Sequence, residues 1–314
     1  MDIFDNHFRL QPHKNPALSA FLTFLVVLVS WMFIGQILGF VAGIMVFDGS
    51  VTEFIDGFSN ASSNDRYKLS LYFAQGVGSL VGLFILPAIY LKVAEKINPA
   101  SLFSKPVGII PWLLAGLITV AFMPVNSIII EWNAEINFPE FMSSFENWAR
   151  DMEANLAEMT ERLTQFDSFG EFLIGFMVIA IVAGLGEELV FRGMIQNMLH
   201  KAMGNIHGAI WLAAFLFSLI HLQFFGFVPR LLLGALFGYL YYWSGNLWVP
   251  IFAHVVNNGF MLSMIYLNSI GILNFDLENS DSAPWFAVVI FAIITSGLMI
   301  YFRKYFIRLN SLND

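Results

Sequence analysis

Long apolar runs separated by short polar segments dominate this sequence. A helix that crosses a membrane needs about 20 mostly apolar residues, and eight runs approach or exceed that length. They are residues 17–47, 68–93, 109–131, 171–199, 206–223, 227–244, 247–268 and 284–303. The pattern predicts an all-α polytopic membrane protein of about eight transmembrane helices, in which residues 1–314 form a single membrane domain.

The segment between the third and fourth runs has a different pattern. Across residues 139–167, large apolar side chains recur at helical spacing, while seven acids and only two arginines fill the other face. This period predicts an amphipathic helix outside the membrane. The helix is either a connector on the outer membrane surface or a functional element, namely a lid over the active site or a docking site for substrate.

The composition supports the membrane assignment and excludes several classes of function. The chain is 58% hydrophobic and only 12% charged, whereas soluble domains carry about 25% charged residues. It has no cysteine, so thiol nucleophiles, disulfides and Cys-ligated metals are excluded. The net charge of −8 argues against nucleic acid as a partner, because nucleic-acid binding needs a basic face.

The charges of the connecting segments predict how the chain is oriented, because Lys and Arg accumulate in cytoplasmic loops. If the eight helices alternate in direction, most basic residues fall on one side: Arg9, Lys14, Lys92, Lys96, Lys105, Lys201, Arg303, Lys304 and Arg308. The opposite side holds acidic loops, which include Asp48, Glu53, Asp56, Asp276, Glu278 and Asp281. Both termini are therefore predicted to be cytoplasmic, with the protein integral to the inner (cell) membrane.

Few ionisable side chains lie within the fourth to seventh predicted helices. A charged side chain at mid-membrane costs about 2.5–3.5 kcal/mol on insertion scales and usually marks function. Apart from Glu171 and His207, at the first residues of their helices, the group consists of Glu187, Glu188, Arg192, His221, Arg230 and His254, joined by Asn257 and Asn258. We expect Arg230 to anchor the sixth helix at the interface or to pair with an acid. Asn257 is expected to point away from the site.

Helical spacing separates the roles of the two adjacent acids. Arg192 follows Glu188 by four residues, so the two side chains share a face and can pair. Glu187 is rotated by about 100° from Glu188 and has no partner on its own helix, which suits a general base. His254 and Asn258 are also four residues apart and share a face.

This set of side chains is suited to the hydrolysis of an amide by an activated water. A Glu and a His can bind a water and take its proton, while a His N–H and an Asn amide donate to the oxyanion. No serine lies in a nucleophile-elbow sequence, and nothing marks Ser218 as a nucleophile. The alternative is a transporter or non-catalytic scaffold that uses the same cluster for binding, although the inverted repeats of a transporter are not evident.

The polar residues also carry a family resemblance. In order along the chain they resemble the three motifs of the CAAX protease and bacteriocin-processing family, also called Abi: Glu187-Glu188-x-x-x-Arg192, Phe217-x-x-x-His221 and His254-x-x-x-Asn258. The resemblance covers about residues 170–268, and the best-understood members of the family are the type II CAAX prenyl endopeptidases.

The resemblance implies an eight-helix intramembrane protease and a role for each motif residue. Glu187 and His221 would activate the water, and His254 and Asn258 would form the oxyanion hole. Glu188 and Arg192 would support them. The implied partners are a peptide or membrane-protein substrate and the lipid bilayer. Some relatives are linked to bacteriocin immunity, so a bacteriocin-immunity scaffold is a further alternative.

Zinc is the one cofactor that the resemblance raises, because the family was long described as metalloproteases. Glu187, His221 and His254 are an acceptable set of zinc ligands. No two histidines here have the i, i+4 spacing common in helical zinc proteases, and Asn258 suits an oxyanion hole better than a zinc site. We therefore expect a metal-free site without a cofactor.

The depths of the two histidines in the membrane pose a problem. Alternating helices put His221 near the outer end of the fifth helix and His254 nearer the inner end of the seventh. The two side chains meet only if helices five to seven are tilted, short or displaced toward the membrane centre.

Overall fold

The computed structural model describes residues 14–59, 65–274 and 282–311, and within these ranges every regular element is a helix. The predicted all-α polytopic membrane class is confirmed. Eight apolar helices follow one another as α1 Pro16–Val46, α2 Tyr67–Val93, α3 Ile109–Ala134, α4 Phe169–Met203, α5 Ile206–Leu219, α6 Phe227–Ser244, α7 Trp248–Ser269 and α8 Trp285–Ser311. Seven of them are long and apolar enough to cross a membrane, α6 together with the 3₁₀ turn that precedes it.

The fifth helix is shorter than its apolar run predicts. α5 has 14 residues and is therefore about 21 Å long, whereas the hydrocarbon core of a bilayer is about 30 Å thick. The helix ends at Leu219 because the following residues form a turn in which Leu222 has a φ of +55°. A 3₁₀ turn, Phe224–Gly226, then leads into α6.

Short, capped connections separate the helices that carry the polar residues. α4 ends at Gly204, whose φ of +63° is a left-handed conformation that glycine adopts without strain. Asn205 then caps α5 by accepting hydrogen bonds from two backbone N–H groups. Gly245 ends α6 in the same left-handed conformation, and Asn246 accepts from Trp248 N at the start of α7. Because these connections are short, α4 to α7 pack as antiparallel neighbours.

Contacts at one end of the bundle join connections that the predicted topology places together. Lys14, before α1, forms an ion pair of 3.0 Å with Glu95, after α2. The nitrogen of Leu247, between α6 and α7, donates to Leu102 O at 3.0 Å. The end of α8 packs here too, because Phe306 shares a cluster with Val249.

The opposite end joins the remaining connections. Asn133, at the end of α3, donates to Phe224 O at 3.0 Å in the turn between α5 and α6. Lys68 is a basic residue at the end where the charge pattern predicts acidic loops. It forms ion pairs there with Asp167, just before α4, and with Glu171, in the first turn of α4. The eight helices therefore alternate in direction, with α5 included, and the start of α1 and the end of α8 lie at the same end.

The structure establishes which connections share an end of the bundle. Arg9, Asp276, Glu278 and Asp281, on which the orientation also rests, lie outside the described residues. We predict that reporter fusions at Lys96 and Glu153 will report opposite sides of the membrane, with Lys96 cytoplasmic, because these residues lie in connections at opposite ends. Reporters on the same side would refute the alternating topology.

Small residues allow α1 and α2 to pack closely. A Cβ at Gly39 would overlap the carbonyl oxygen of Ala74, and one at Gly35 would overlap that of Gly78. Close backbone approach of this kind is the usual role of glycines spaced by four in membrane helices. The glycines of α1 are therefore structural, and they brace the bundle outside the helices that hold the polar cluster.

Candidate active site

A buried ion pair forms the centre of the polar cluster. Arg192 Nη1 donates to Glu188 Oε1 at 2.6 Å, and the two side chains are 1% and 0% exposed. Arg192 Nη2 donates to Gly234 O at 2.9 Å, which ties α4 to α6. The guanidinium also lies over the ring of Phe217, at 4.7 Å from its centroid. The predicted i, i+4 pair is therefore present, in a stretch of π-helix, Leu189–Gln196, a feature frequent at functional sites.

The same carboxylate orients a histidine from another helix. His254 Nδ1 lies 2.8 Å from Glu188 Oε1, and the ring of His254 is almost fully buried. Since Glu188 is held as a carboxylate by Arg192, the hydrogen of this bond belongs to Nδ1 of His254. The Nε2 atom is thereby left to face the other acid of the motif.

Glu187 is positioned as spacing on the helix predicts. Its Oε2 lies 3.7 Å from His254 Nε2, and its side chain is 16% exposed. This separation is too long for a direct hydrogen bond, so the two groups face each other without being bonded. Glu187 thus combines partial exposure with a fixed, polar neighbour, whereas Glu188 is enclosed.

His221 follows the end of α5 and is oriented by the backbone. Its Nδ1 lies 2.7 Å from Phe217 O, and a carbonyl only accepts, so Nδ1 carries the hydrogen and the Nε2 of the neutral ring is a free acceptor. Ser218 donates to Phe227 O at 2.7 Å, so its hydroxyl stabilises the turn between α5 and α6.

Phe217 lies between His221 and His254, the two histidines whose predicted depths in the membrane differ. The ring of Phe217 lies 5.0 Å from the ring of His221 and 6.1 Å from the ring of His254, centroid to centroid. Because α5 is short, its end remains at a depth that α7 also reaches at His254. Of the three arrangements that would allow the histidines to approach, a short helix is the one observed.

Asn258 lies one turn beyond His254 and is held by two hydrogen bonds. Its Nδ2 donates to Ile179 O in α4 at 3.1 Å, and its Oδ1 accepts from Asn257 Nδ2 at 3.0 Å. The side chain of Asn257 therefore contacts the site through Asn258 alone among the described residues. One hydrogen of Asn258 Nδ2 remains for another acceptor.

The residues of the three motifs differ in how directly they meet. Glu188, Arg192 and His254 are joined by hydrogen bonds, and Glu187 faces His254. His221 approaches through Phe217, while the hydrogen bonds of Asn258 run to α4 and to Asn257.

The donors do not form a metal site in this arrangement. Within the described part of the chain, no group of three or more His, Asp or Glu side chains is placed to hold a metal ion. Glu187 and His254 are close enough for two ligands, but a zinc site needs a third protein ligand at about 2 Å from the ion. The residues present therefore do not fit zinc.

The amphipathic segment packs over the turn that follows His221. It consists of a 3₁₀ turn, Glu140–Met142, and a helix, Ser143–Thr164. Arg150 lies over the ring of Phe225 at 4.2 Å, and Glu153 accepts from Phe225 N at 3.4 Å and from Gln223 Nε2 at 3.3 Å. Burial raises the pKa of the Glu153 carboxyl, against the opposing effect of these hydrogen bonds and of the Arg230 charge. The segment therefore packs against the turn between α5 and α6, and its role as a connector, a lid or a docking site stays a prediction.

Arg230 lies nearer to the polar cluster than its expected role as an interfacial anchor implies. Its Nη2 donates to Gln223 Oε1 at 2.7 Å, and its Nη1 is buried without a hydrogen-bond acceptor among the described residues. Arg230 is close enough to interact electrostatically with Glu187, His221 and Glu153, but within the described residues it forms no ion pair with any acid. Pairing with an acid, one of its two expected roles, is therefore not observed.

These features define an all-α polytopic membrane protein with an acid-and-histidine centre enclosed by α4 to α7. Residues 169–260 match the family described as Type II CAAX prenyl endopeptidase Rce1-like. The match coincides with most of the predicted 170–268 core. The resemblance to the CAAX protease family, predicted from three motifs, is thereby confirmed for this segment.

Individual relatives match over the same limited length. The chain is 35% identical over 96 residues to the membrane-embedded CAAX protease MroQ of Staphylococcus aureus (strain USA300), covering 29% of this chain and 38% of MroQ. It is 33% identical over 114 residues to CAAX prenyl protease 2 of Arabidopsis thaliana, covering 30% and 37%. It is 28% identical over 82 residues to the uncharacterized protein YpbD of Bacillus subtilis (strain 168), covering 25% and 39%. The chain spans less than two fifths of each curated relative, and no solved structure matches it significantly.

Proposed function

We propose that the chain is an intramembrane endopeptidase that hydrolyses a peptide bond with a water activated by Glu187 and His221. The observation that carries the proposal is the contrast between the two acids. Glu188 is locked between Arg192 and His254, while Glu187 is partly exposed and faces His254 Nε2 at 3.7 Å. The family match and the curated relatives named as CAAX proteases support the same class of reaction.

In the proposed reaction, Glu187 and the Nε2 of His221 accept hydrogen bonds from one water. The water oxygen attacks the carbonyl carbon of the scissile bond while its proton passes to Glu187. The carbonyl electron pair moves to the oxygen, which becomes an oxyanion. When the intermediate collapses, the carbon–nitrogen bond breaks and Glu187 returns the proton to the leaving amine.

Two groups on α7 are suited to stabilise the oxyanion. Asn258 has one unused N–H, and an amide donates without titrating. His254 already donates through Nδ1 to Glu188, so it donates through Nε2 only as an imidazolium. Glu188 and Arg192 act through His254, by fixing its orientation.

The substrate is proposed to be a peptide or the membrane-proximal end of a membrane protein. The test is incubation of the purified protein in lipid vesicles with a quenched-fluorescent peptide library, followed by mass spectrometry of the products. We expect cleavage at internal peptide bonds. A folded protein that binds peptides but releases no fragments would support the scaffold or transporter role instead.

We predict that activity does not depend on a bound metal, because the donors are not placed for zinc. Elemental analysis of the active protein should show no stoichiometric zinc, and treatment with a strong chelator should leave the cleavage rate unchanged. Stoichiometric zinc, with activity lost on chelation and restored by zinc, would make Glu187, His221 and His254 metal ligands and overturn this mechanism.

A further inference from the structure

A partly buried cation beside the site lacks a directly bound anion among the described residues. Arg230 lies in the first turn of α6, and its only hydrogen bond within the described residues is from Nη2 to the neutral side chain of Gln223. Its Nη1 is buried and has no acceptor in the part of the chain that the structure describes. Buried guanidinium groups are normally paired, because an unpaired buried charge is strongly unfavourable.

The two nearest acids are engaged elsewhere. Glu153 accepts hydrogen bonds from Gln223 and from the backbone of Phe225, so it reaches Arg230 only through Gln223. Glu187 faces His254. Both acids act on Arg230 only through space.

The guanidinium is held in a defined orientation. It lies against the backbone of Gly226, where a Cβ would be 3.3 Å from Nη2 and would force it to shift. Gln223 Oε1 fixes one edge of the group by accepting from Nη2. The Nη1 hydrogens and the second Nη2 hydrogen have no acceptor among the described residues. Together these two nitrogens form the planar fork that binds a carboxylate through two parallel hydrogen bonds.

The position of this fork relates it to the reaction. Arg230 interacts electrostatically with both Glu187 and His221, the two groups proposed to activate water. We propose that Arg230, oriented by Gln223, binds a carboxylate of the substrate and so selects peptides that carry a negative charge near the scissile bond. This inference rests on the proposed function and assigns its substrate a chemical feature.

A carboxylate can come from the C-terminus of a peptide or from an acidic side chain, and three peptide sets separate these sources. Each is a quenched-fluorescent library with the same randomised interior, ending in a free carboxylate, in an amide, or in a glutamate followed by an amide. The wild type should cleave a carboxylate-bearing set about 10- to 100-fold more efficiently in kcat/KM than the plain amide, the range expected for hydrogen bonds to a charged group. The preferred set identifies the source.

Variants assign the preference to Arg230. Arg230→Gln should lose the preference, so that its kcat/KM for the carboxylate-bearing sets equals its kcat/KM for the plain amide, while Arg230→Lys should keep part of the preference because the charge remains without the fork. Arg150→Gln is the matched control, since it removes a guanidinium that contacts the same turn at Phe225. It should keep the full preference. Thermal unfolding of each variant in detergent shows whether it is folded.

Binding is measured in parallel, so that the inference does not depend on turnover. A carboxylate-bearing peptide should raise the melting temperature of the wild type and of Arg230→Lys more than the amide does, and should not do so for Arg230→Gln. Equal cleavage and equal binding of all three sets by the wild type would overturn the anion site and leave the protease intact. Carboxylate-selective binding through Arg230 without any cleavage would establish the anion site and refute the protease.

Discussion

Replacing Glu187 by glutamine is expected to leave a folded protein that cleaves peptides about 100- to 10,000-fold more slowly, the usual contribution of a general base. Glutamine keeps the size of the side chain but cannot accept the proton of the attacking water. The native packing should persist, because Glu187 makes no hydrogen bond among the described residues and is partly exposed. Cleavage rate and thermal unfolding, both measured in detergent, test the two parts of the prediction.

Glu158→Gln provides the matched control. Glu158 lies on the amphipathic helix with its side chain 57% exposed, and it pairs only with Arg162, so the same chemical change should leave the rate unaltered. Wild-type turnover by Glu187→Gln would end the general-base assignment. Inactivity accompanied by loss of the folded state would mean that Glu187 is structural.

The substitution Arg192→Ala is expected to reduce the stability of the folded state by about 3–5 kcal/mol, the cost of removing one partner from a buried ion pair, and to abolish cleavage. The variant leaves Glu188 as a buried carboxylate facing only His254, and it removes the hydrogen bond to Gly234 that joins α4 to α6. Thermal unfolding and cleavage in the same detergent measure both losses.

Arg162→Ala is the control for this prediction. It removes an arginine from the partly exposed pair with Glu158, and exposed pairs contribute at most about 1 kcal/mol. If Arg192→Ala unfolded at the wild-type temperature, the buried pair would not hold the bundle together. If it also cleaved peptides normally, Glu188 would not need Arg192 to orient His254.

The sequence was sufficient to predict the features that depend on a single segment of the chain. Eight apolar runs gave the helices, because the length of a run and its lack of charge determine whether a segment can cross a membrane. The Glu188–Arg192 pair followed from the geometry of a single helix. The three motifs were sufficient to predict the family.

Features that depend on the distance between helices could not be predicted. The hydrogen bond from His254 to Glu188 joins residues 66 positions apart, and nothing in the spacing of either helix indicates it. The early end of α5 depends on a turn in which a leucine adopts a positive φ. Because that turn lies within an apolar run, the hydrophobic pattern does not indicate it. Arg230 was judged from its position at a helix start, but its burial and its contact with Gln223 arise only when α5, α6 and the amphipathic helix pack together.

The short fifth helix also bears on the lipid around the protein. One side of α5, including Trp211 and Phe215, is exposed on the surface of the bundle, and the helix is about 9 Å shorter than a typical hydrocarbon core. Acyl chains beside it are therefore compressed or displaced, a case of hydrophobic mismatch. We therefore expect the bilayer to be thinner beside α5 than beside the longer helices. Bilayer thickness, and not only protein sequence, would then affect how far the polar cluster lies from water.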